Sequence, residues 1–130
     1  MISLAIETSC PEVLVDITQR ISQCVCDTGV ENAICLVHCP HTTAGLTINE
    51  CADPAVAQDL LTGLERCVPD AGAWRHAEGN SPAHVKASLV GASVVVPVHD
   101  GRLALGRWQG IFLCEFDGPR TREVTVQILS

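Results

Sequence analysis

From Ser93 to Leu129 the chain holds apolar runs and tight turns with no helical spacing between them, and this commits its last third to antiparallel sheet. Ser93 to Val98 reads as one strand, and Asp100-Gly101 is a strong hairpin signal because both residues accept positive φ. Leu103 and Leu105 lie on the return. Ile111 to Phe116 is a compact apolar strand, Gly118-Pro119 turns the chain, and Val124, Val126 and Ile128 alternate through a final strand. A sheet of this kind must bury one face, so the rest of the chain has to supply its cover.

The first two-thirds supply strands and helices. Residues 2–8 alternate weakly, as does Val13-Val15-Ile17. Ile17, Ile21, Cys24 and Val25 then fall at helical spacing, which predicts a helix over 17–27 with Gly29 as a left-handed cap. Ala33 to Cys39 reads as a buried strand ended by Pro40, and Gly45 to Ile48 as a short one. Asp53-Pro54 and Ser81-Pro82 each place a capping residue before a proline, and so open two further helices. Pro69 closes the first of these and Gly91 the second; 70–80 is a polar loop. Ala83, Ala87 and Gly91 form a small-residue face suited to close approach. The expectation is one α+β domain over 1–130, a layered and mostly antiparallel sheet or sandwich with two or three helices.

Aromatic residues make up only 3% of the chain, so aliphatic residues and cysteine must fill the core. The eight cysteines show no Cys-x-x-Cys, and we read most as small buried hydrophobes in reduced form. The net charge of −7, with no basic run, argues against nucleic acid and anionic membranes as partners. An N-terminus without basic residues does not resemble a secretory leader, and no apolar run reaches the roughly 20 residues of a membrane span. A cytoplasmic address is expected.

Four segments carry candidate chemistry. In His38-Cys39-Pro40-His41-Thr42-Thr43-Ala44-Gly45, His38 reads as a packed strand residue. His41 instead sits among hydroxyls at a strand end, where an imidazole can ligate zinc and the hydroxyls of Thr42 and Thr43 can hold a phosphate oxygen. His76 and His84, with Glu78 between them, flank a helix start, a place that favours anions. Asn49, Glu50 and Asp53 end a strand: Asp53 caps the next helix, which leaves Glu50 as an acid/base or ligand candidate. In Gly101 to Gly110, Trp108 and Gln109 suit a flat ring-shaped substrate, or Trp108 belongs to the core; Arg102 or Arg107 could receive a phosphate. No Gly-x-Ser-x-Gly, His-Glu-x-x-His or Walker sequence is present.

His41-Thr42-Thr43-Ala44-Gly45-Leu46-Thr47-Ile48-Asn49-Glu50 resembles the H-T-[ST]-x-x-L-x-x-N-E segment of the secondary thiamine-phosphate synthase (YjbQ-like) family. His76-x-x-x-Asn80-x-x-x-His84-x-Lys86 is similar to its second histidine block, and Ser93 through Gln109 to its glycine/tryptophan signature. Arg107 stands where the family usually has threonine. The resemblance implies a homotrimer, with His41, His76 and His84 in a pocket near a subunit boundary. It implies transfer of a pyrimidinylmethyl group from pyrophosphate to a thiazole phosphate, a secondary activity in this family. On that basis His41, His76 and His84 are metal or phosphate contacts, and Glu50 and His84 are catalytic candidates. Thr42, Thr43, Asn49, Asn80, Trp108 and Gln109 are substrate contacts. A divalent ion, zinc or magnesium, would neutralise the leaving group. Two other classes remain open: a trimer that binds a metal or a small phosphorylated metabolite without turnover, and a structural trimer with vestigial histidines.

Overall fold

A computed structural model describes residues 1–130 and resolves the chain into two antiparallel sheets and three helices. In chain order the elements are β1 (Ile2–Glu7), β2 (Val13–Asp16), α1 (Thr18–Thr28), β3 (Ala33–His38), β4 (Ala44–Glu50), α2 (Pro54–Cys67), α3 (Ser81–Val90), β5 (Ser93–His99), β6 (Arg102–Leu103), β7 (Gln109–Glu115) and β8 (Thr121–Leu129). One sheet runs β1-β8-β3-β5-β6, the other β2-β7-β4.

Strand alternation decides which residues meet between the sheets. Cys35 and Val37 of β3, Val96 and Val98 of β5, and Val124 and Val126 of β8 point inward from the larger sheet. Leu46 of β4 and Ile111 and Leu113 of β7 meet them from the smaller one, and α1 adds Ile21, Cys24 and Val25. This core contains no aromatic side chain. The other face of β7 turns Cys114 and Phe116 toward Ala83 and Ala87 of α3, with Leu61 and Leu64 of α2 against the same cluster. The smaller sheet is thus covered on both faces. The outer face of the larger sheet instead leaves Ile34, Val95 and Leu129 about half exposed, and the register sets Ile34 beside Leu129.

Two of the helix signals hold locally, whereas Ser81 is the first residue of α3 rather than its cap, and Asn80 at the cap position makes no side-chain capping bond. Asp53 accepts a hydrogen bond from the Ala55 N–H, with Pro54 in the first turn, and Gly29 closes α1 at φ 71°. The start of α1 is set differently from a simple apolar period. Asp16 accepts from both the backbone and the hydroxyl of Thr18, so the helix begins one residue later than expected. The return strand after Asp100-Gly101 is shorter than its alternation suggests: β6 ends at Leu103, while Leu105 packs on the core from outside the ladder.

The small-residue face of α3 is used for close contact with β4. A Cβ at Gly45 would stand 2.6 Å from the Gly91 carbonyl oxygen, well inside van der Waals contact. This approach fixes α3 beside the strand that carries His41 at its entrance. We expect Gly45→Ala to lower unfolding free energy by about 1–3 kcal/mol through forced separation of these elements. Urea denaturation measures this, and an unchanged midpoint would mean that the α3–β4 contact is slack.

Candidate functional site

His41 lies between β3 and β4, just where the chain leaves one sheet for the other. The β3–β8 ladder ends at His38 opposite Thr125. Beyond that pair the Glu123 N–H has no strand partner on the β3 side, and the His41 Nε2 fills the position at 2.9 Å. The ring therefore extends the sheet by one hydrogen bond.

Beneath it lies a buried ion pair. Glu115 at the end of β7 and Arg122 near the start of β8 are both almost wholly excluded from solvent. The Arg122 Nε donates to both Glu115 oxygens, at 2.9 and 3.0 Å, and an η-nitrogen donates to Thr43 at its hydroxyl and its carbonyl, 2.8 and 3.1 Å away. The Thr8 hydroxyl and the Asp117 N–H donate to the other side of the carboxylate. An isolated buried ion costs several kcal/mol to desolvate, and a pair survives when hydrogen bonds satisfy both partners, as here. Gly118 must be glycine for this packing: a Cβ there would meet the Cys10 carbonyl at 2.3 Å and the Glu115 side chain at 2.8 Å. Thr43 was expected to touch substrate; its buried hydroxyl is committed to Arg122 instead.

The pair also sets the electrostatics of the site. Burial lowers the His41 pKa from its ordinary value, and the Arg122 guanidinium lowers it further, against an opposing influence of the Glu115 and Glu123 carboxylates. The Glu115 carboxyl is itself held below its ordinary value: burial pushes it up, but the hydrogen bonds from Arg122, Thr8 and Asp117 and the Arg122 charge outweigh that.

His41 and Thr42 form one wall of a pocket of about 530 Å³, and His84, Ser88, Gly91 and Ala92 contribute to the other walls. His84 projects from the first turn of α3, where the helix dipole favours negative charge; the Gly91 end carries the opposite polarity. An anion is accordingly favoured beside His84, whereas the segments flanking His41 approach the other end of the helix, where the Cys39 N–H donates to the Ala92 carbonyl. His76 reaches His84 edge-to-face, with ring centroids 5.2 Å apart, and its Nε2 lies 3.9 Å from Glu78. His84 thus touches His76 and shares the pocket with His41. No group of three or more His, Cys, Asp or Glu side chains stands at metal-holding distances, so the three-histidine metal centre that the resemblance implies does not close within one chain.

Other candidates lie elsewhere. Asn49 and Glu50 end β4, five and six residues from Ala44, which at ~3.4 Å per residue puts them roughly 17–20 Å from the His41 end. Gln109 pairs with Glu50 across the ladder, and its side-chain oxygen accepts from the Gly106 N–H at 2.8 Å, closing the turn. Trp108 is exposed rather than core, and Arg107 lies over its ring at 4.8 Å. The residue that departs from the family pattern therefore stacks on the tryptophan. The Asn80 amide nitrogen donates to Asp117, while its buried oxygen has no partner. His38 is exposed at the end of β3, the central strand of the larger sheet, and is not packed.

Sequence reasoning missed Glu115, Arg122 and Lys86. The last is buried on α3 and paired with Glu12 at 2.5 Å, tying the helix to the segment before β2. The signal was available: Arg122 is two residues before Val124 on the inward-facing alternation, and Glu115 two after Leu113.

The sandwich, its covering helices and this pocket define a small α+β domain. The profile described as UPF0047 protein YjbQ-like matches residues 2–130, and the chain belongs to that family. It is 47% identical over 132 residues to UPF0047 protein YugU of Bacillus subtilis, covering 98% of this chain and 97% of that one. A UPF0047 protein of Methanocaldococcus jannaschii is 48% identical over 95% of this chain and 90% of its own length. A crystal structure of a YjbQ/UPF0047 family protein from Clostridium acetobutylicum superposes with a TM-score of 0.97 at 47% identity, covering 99% of this chain and 100% of that one. A YbjQ-like protein of unknown function from Sulfolobus solfataricus gives 0.95 at 38% identity, over 98% and 94% of the two chains. No helix of the chain is long and apolar enough to cross a membrane.

Two outcomes follow from the buried pair. Arg122→Met leaves the Glu115 carboxylate without its cation and should cost about 3–5 kcal/mol of stability in chemical denaturation; a loss within experimental error would remove the pair from the architecture. Because the folded Glu115 pKa is depressed, its contribution is fully present above the unfolded carboxyl pKa and is lost as pH falls through the folded one. Stability of the wild type should therefore decline on acidification below the ordinary carboxylate range, and Glu115→Gln should flatten that decline.

Proposed function

We propose that the protein binds a phosphorylated small molecule in the His41–His84 pocket and carries out a thiamine-phosphate synthase-like transfer there. The single observation that carries this reading is that two histidines from distant segments line one pocket, with the Thr42 and Ser88 hydroxyls beside them. The family resemblance supplies the reaction. The thiazole nitrogen lone pair forms a C–N bond to the pyrimidine methylene, the C–O bond to pyrophosphate breaks, and that electron pair leaves on the pyrophosphate oxygen. The barrier falls when fixed donors meet the charge gathering on the leaving group. In this reading His41 and Thr42 supply such donors, and His84 lines the same pocket. No step of this reading runs through a protein-held metal.

Glu50, Asn49, Trp108 and Gln109 enter the same reaction only across a subunit boundary, because one chain keeps them at the far end of β4. The proposed homotrimer meets this need. Its interfaces would be head-to-tail, joining unlike ends of neighbouring chains in a closed ring. The apolar residues left on the outer face of the larger sheet fit burial in such an assembly.

A binding module without turnover is the second reading, favoured by the separation of Glu50, at the end of β4, from His84 in the pocket of the same chain. Incubating purified protein with both substrates separates the two. The synthase reading expects thiamine phosphate and pyrophosphate in equal amounts, and at least a tenfold loss of rate in His84→Ala. Ligand-induced thermal stabilisation with no product would favour the module. Where both His84→Ala and Glu50→Ala are inactive, refolding them together should restore activity if the site is shared between subunits; no recovery would return Glu50 to a structural role.

A further inference from the structure

We propose that His41 is locked as the Nδ1–H tautomer and acts as a fixed hydrogen-bond donor to an oxyanion of the pocket ligand, not as a metal ligand. A neutral imidazole has one N–H and one lone pair. The lone pair of Nε2 is taken by the Glu123 N–H at 2.9 Å, so the proton belongs on Nδ1. The bond is part of the sheet, one position beyond the last β3–β8 pair, which makes the ring's orientation a property of the fold.

Nδ1 itself is free. It has no protein partner, and it is not buried, since the only buried side-chain N or O atom lacking a partner is the Asn80 oxygen. A donor that is accessible, fixed and unused, on a ring that lines a pocket, matches an oxyanion or a carbonyl oxygen. The neighbouring Thr42 hydroxyl, a second donor on the same pocket lining, favours the charged oxygen. Ligating a cation through Nδ1 would require its proton to move to Nε2. There it would face the Glu123 N–H, donor against donor, and the ladder would lose its last bond. Rotating the ring by half a turn does not help, because it places a carbon opposite that N–H.

This inference rests on the pocket assignment made above but not on the reaction. The test is imidazole nitrogen NMR on uniformly ¹⁵N-labelled full-length protein in the presence of EDTA, with the His41 ring assigned through its proximity to the Glu123 amide. The expected result is an Nδ1–H, Nε2-lone-pair pattern for His41 that is unchanged by chelator. Added inorganic pyrophosphate should shift the Nδ1 resonance. His41→Leu, which removes the donor, should weaken pyrophosphate binding at least tenfold.

An Nε2–H pattern, pyrophosphate binding that appears only with added Zn²⁺, or no effect of pyrophosphate on Nδ1 would each overturn the inference. The tautomer is read in the wild type, so a poorly folding variant does not stall the test. Absence of thiamine phosphate alongside the expected spectrum would end the synthase reading and leave this one standing. Product formation with an Nε2–H ring would do the reverse.

Discussion

The Arg122–Glu115 pair is the interaction on which the rest of the structure depends. Glu115 belongs to the smaller sheet and Arg122 to the larger. Thr8 follows β1 and Thr43 precedes β4, so four segments from both sheets converge on one guanidinium and one carboxylate. A sandwich held only by Val, Ile, Leu and Cys contacts has little to specify how its edges register, because such contacts are non-directional. The fork of Arg122 supplies direction. It holds Thr43 at two atoms and thereby fixes where β4 begins.

From that anchor the site follows in short steps. With Thr43 fixed, Thr42 and His41 have only a tight span in which to leave β3, and the His41 ring falls against the β8 edge. Burial and the guanidinium beneath both disfavour a positive charge on the ring. The close contact of Gly45 with Gly91 sets α3 at the right distance to bring His84 across the pocket. The pocket is thus a product of packing choices made at glycine, threonine and a buried charge, none of which is itself a reacting group.

The sequence made the elements legible, and less of their meeting points. Alternation in Val124, Val126 and Ile128 and the Asp53-Pro54 cap are local signals, and the structure places a strand and a helix there with small changes of boundary. The partition into two sheets is long-range and leaves no mark in any one segment. Histidine roles were only half legible for the same reason: spacing shows that His41 stands at a strand end, but not that its Nε2 completes a ladder 82 residues away. Thr43 illustrates the limit from the other side. A hydroxyl next to a candidate histidine looks like a ligand contact until the buried arginine that claims it is known. Arg122 and Glu115 were visible as charges at inward positions, yet such a pattern in one strand reads as an irregularity until its partner appears in the other.

The central claim is that the buried pair builds the pocket rather than merely stabilising the fold. The most direct measurement replaces the pair by apolar residues of similar size, Glu115→Leu with Arg122→Met, and compares folding with pyrophosphate binding in the same sample. Removing both charges together avoids leaving either one buried alone, so the domain should remain folded. The account predicts a cooperative unfolding transition together with a loss of pyrophosphate affinity of at least tenfold, because Thr43 has lost its donor and His41 its setting. A folded double variant that binds pyrophosphate as tightly as the wild type would contradict it.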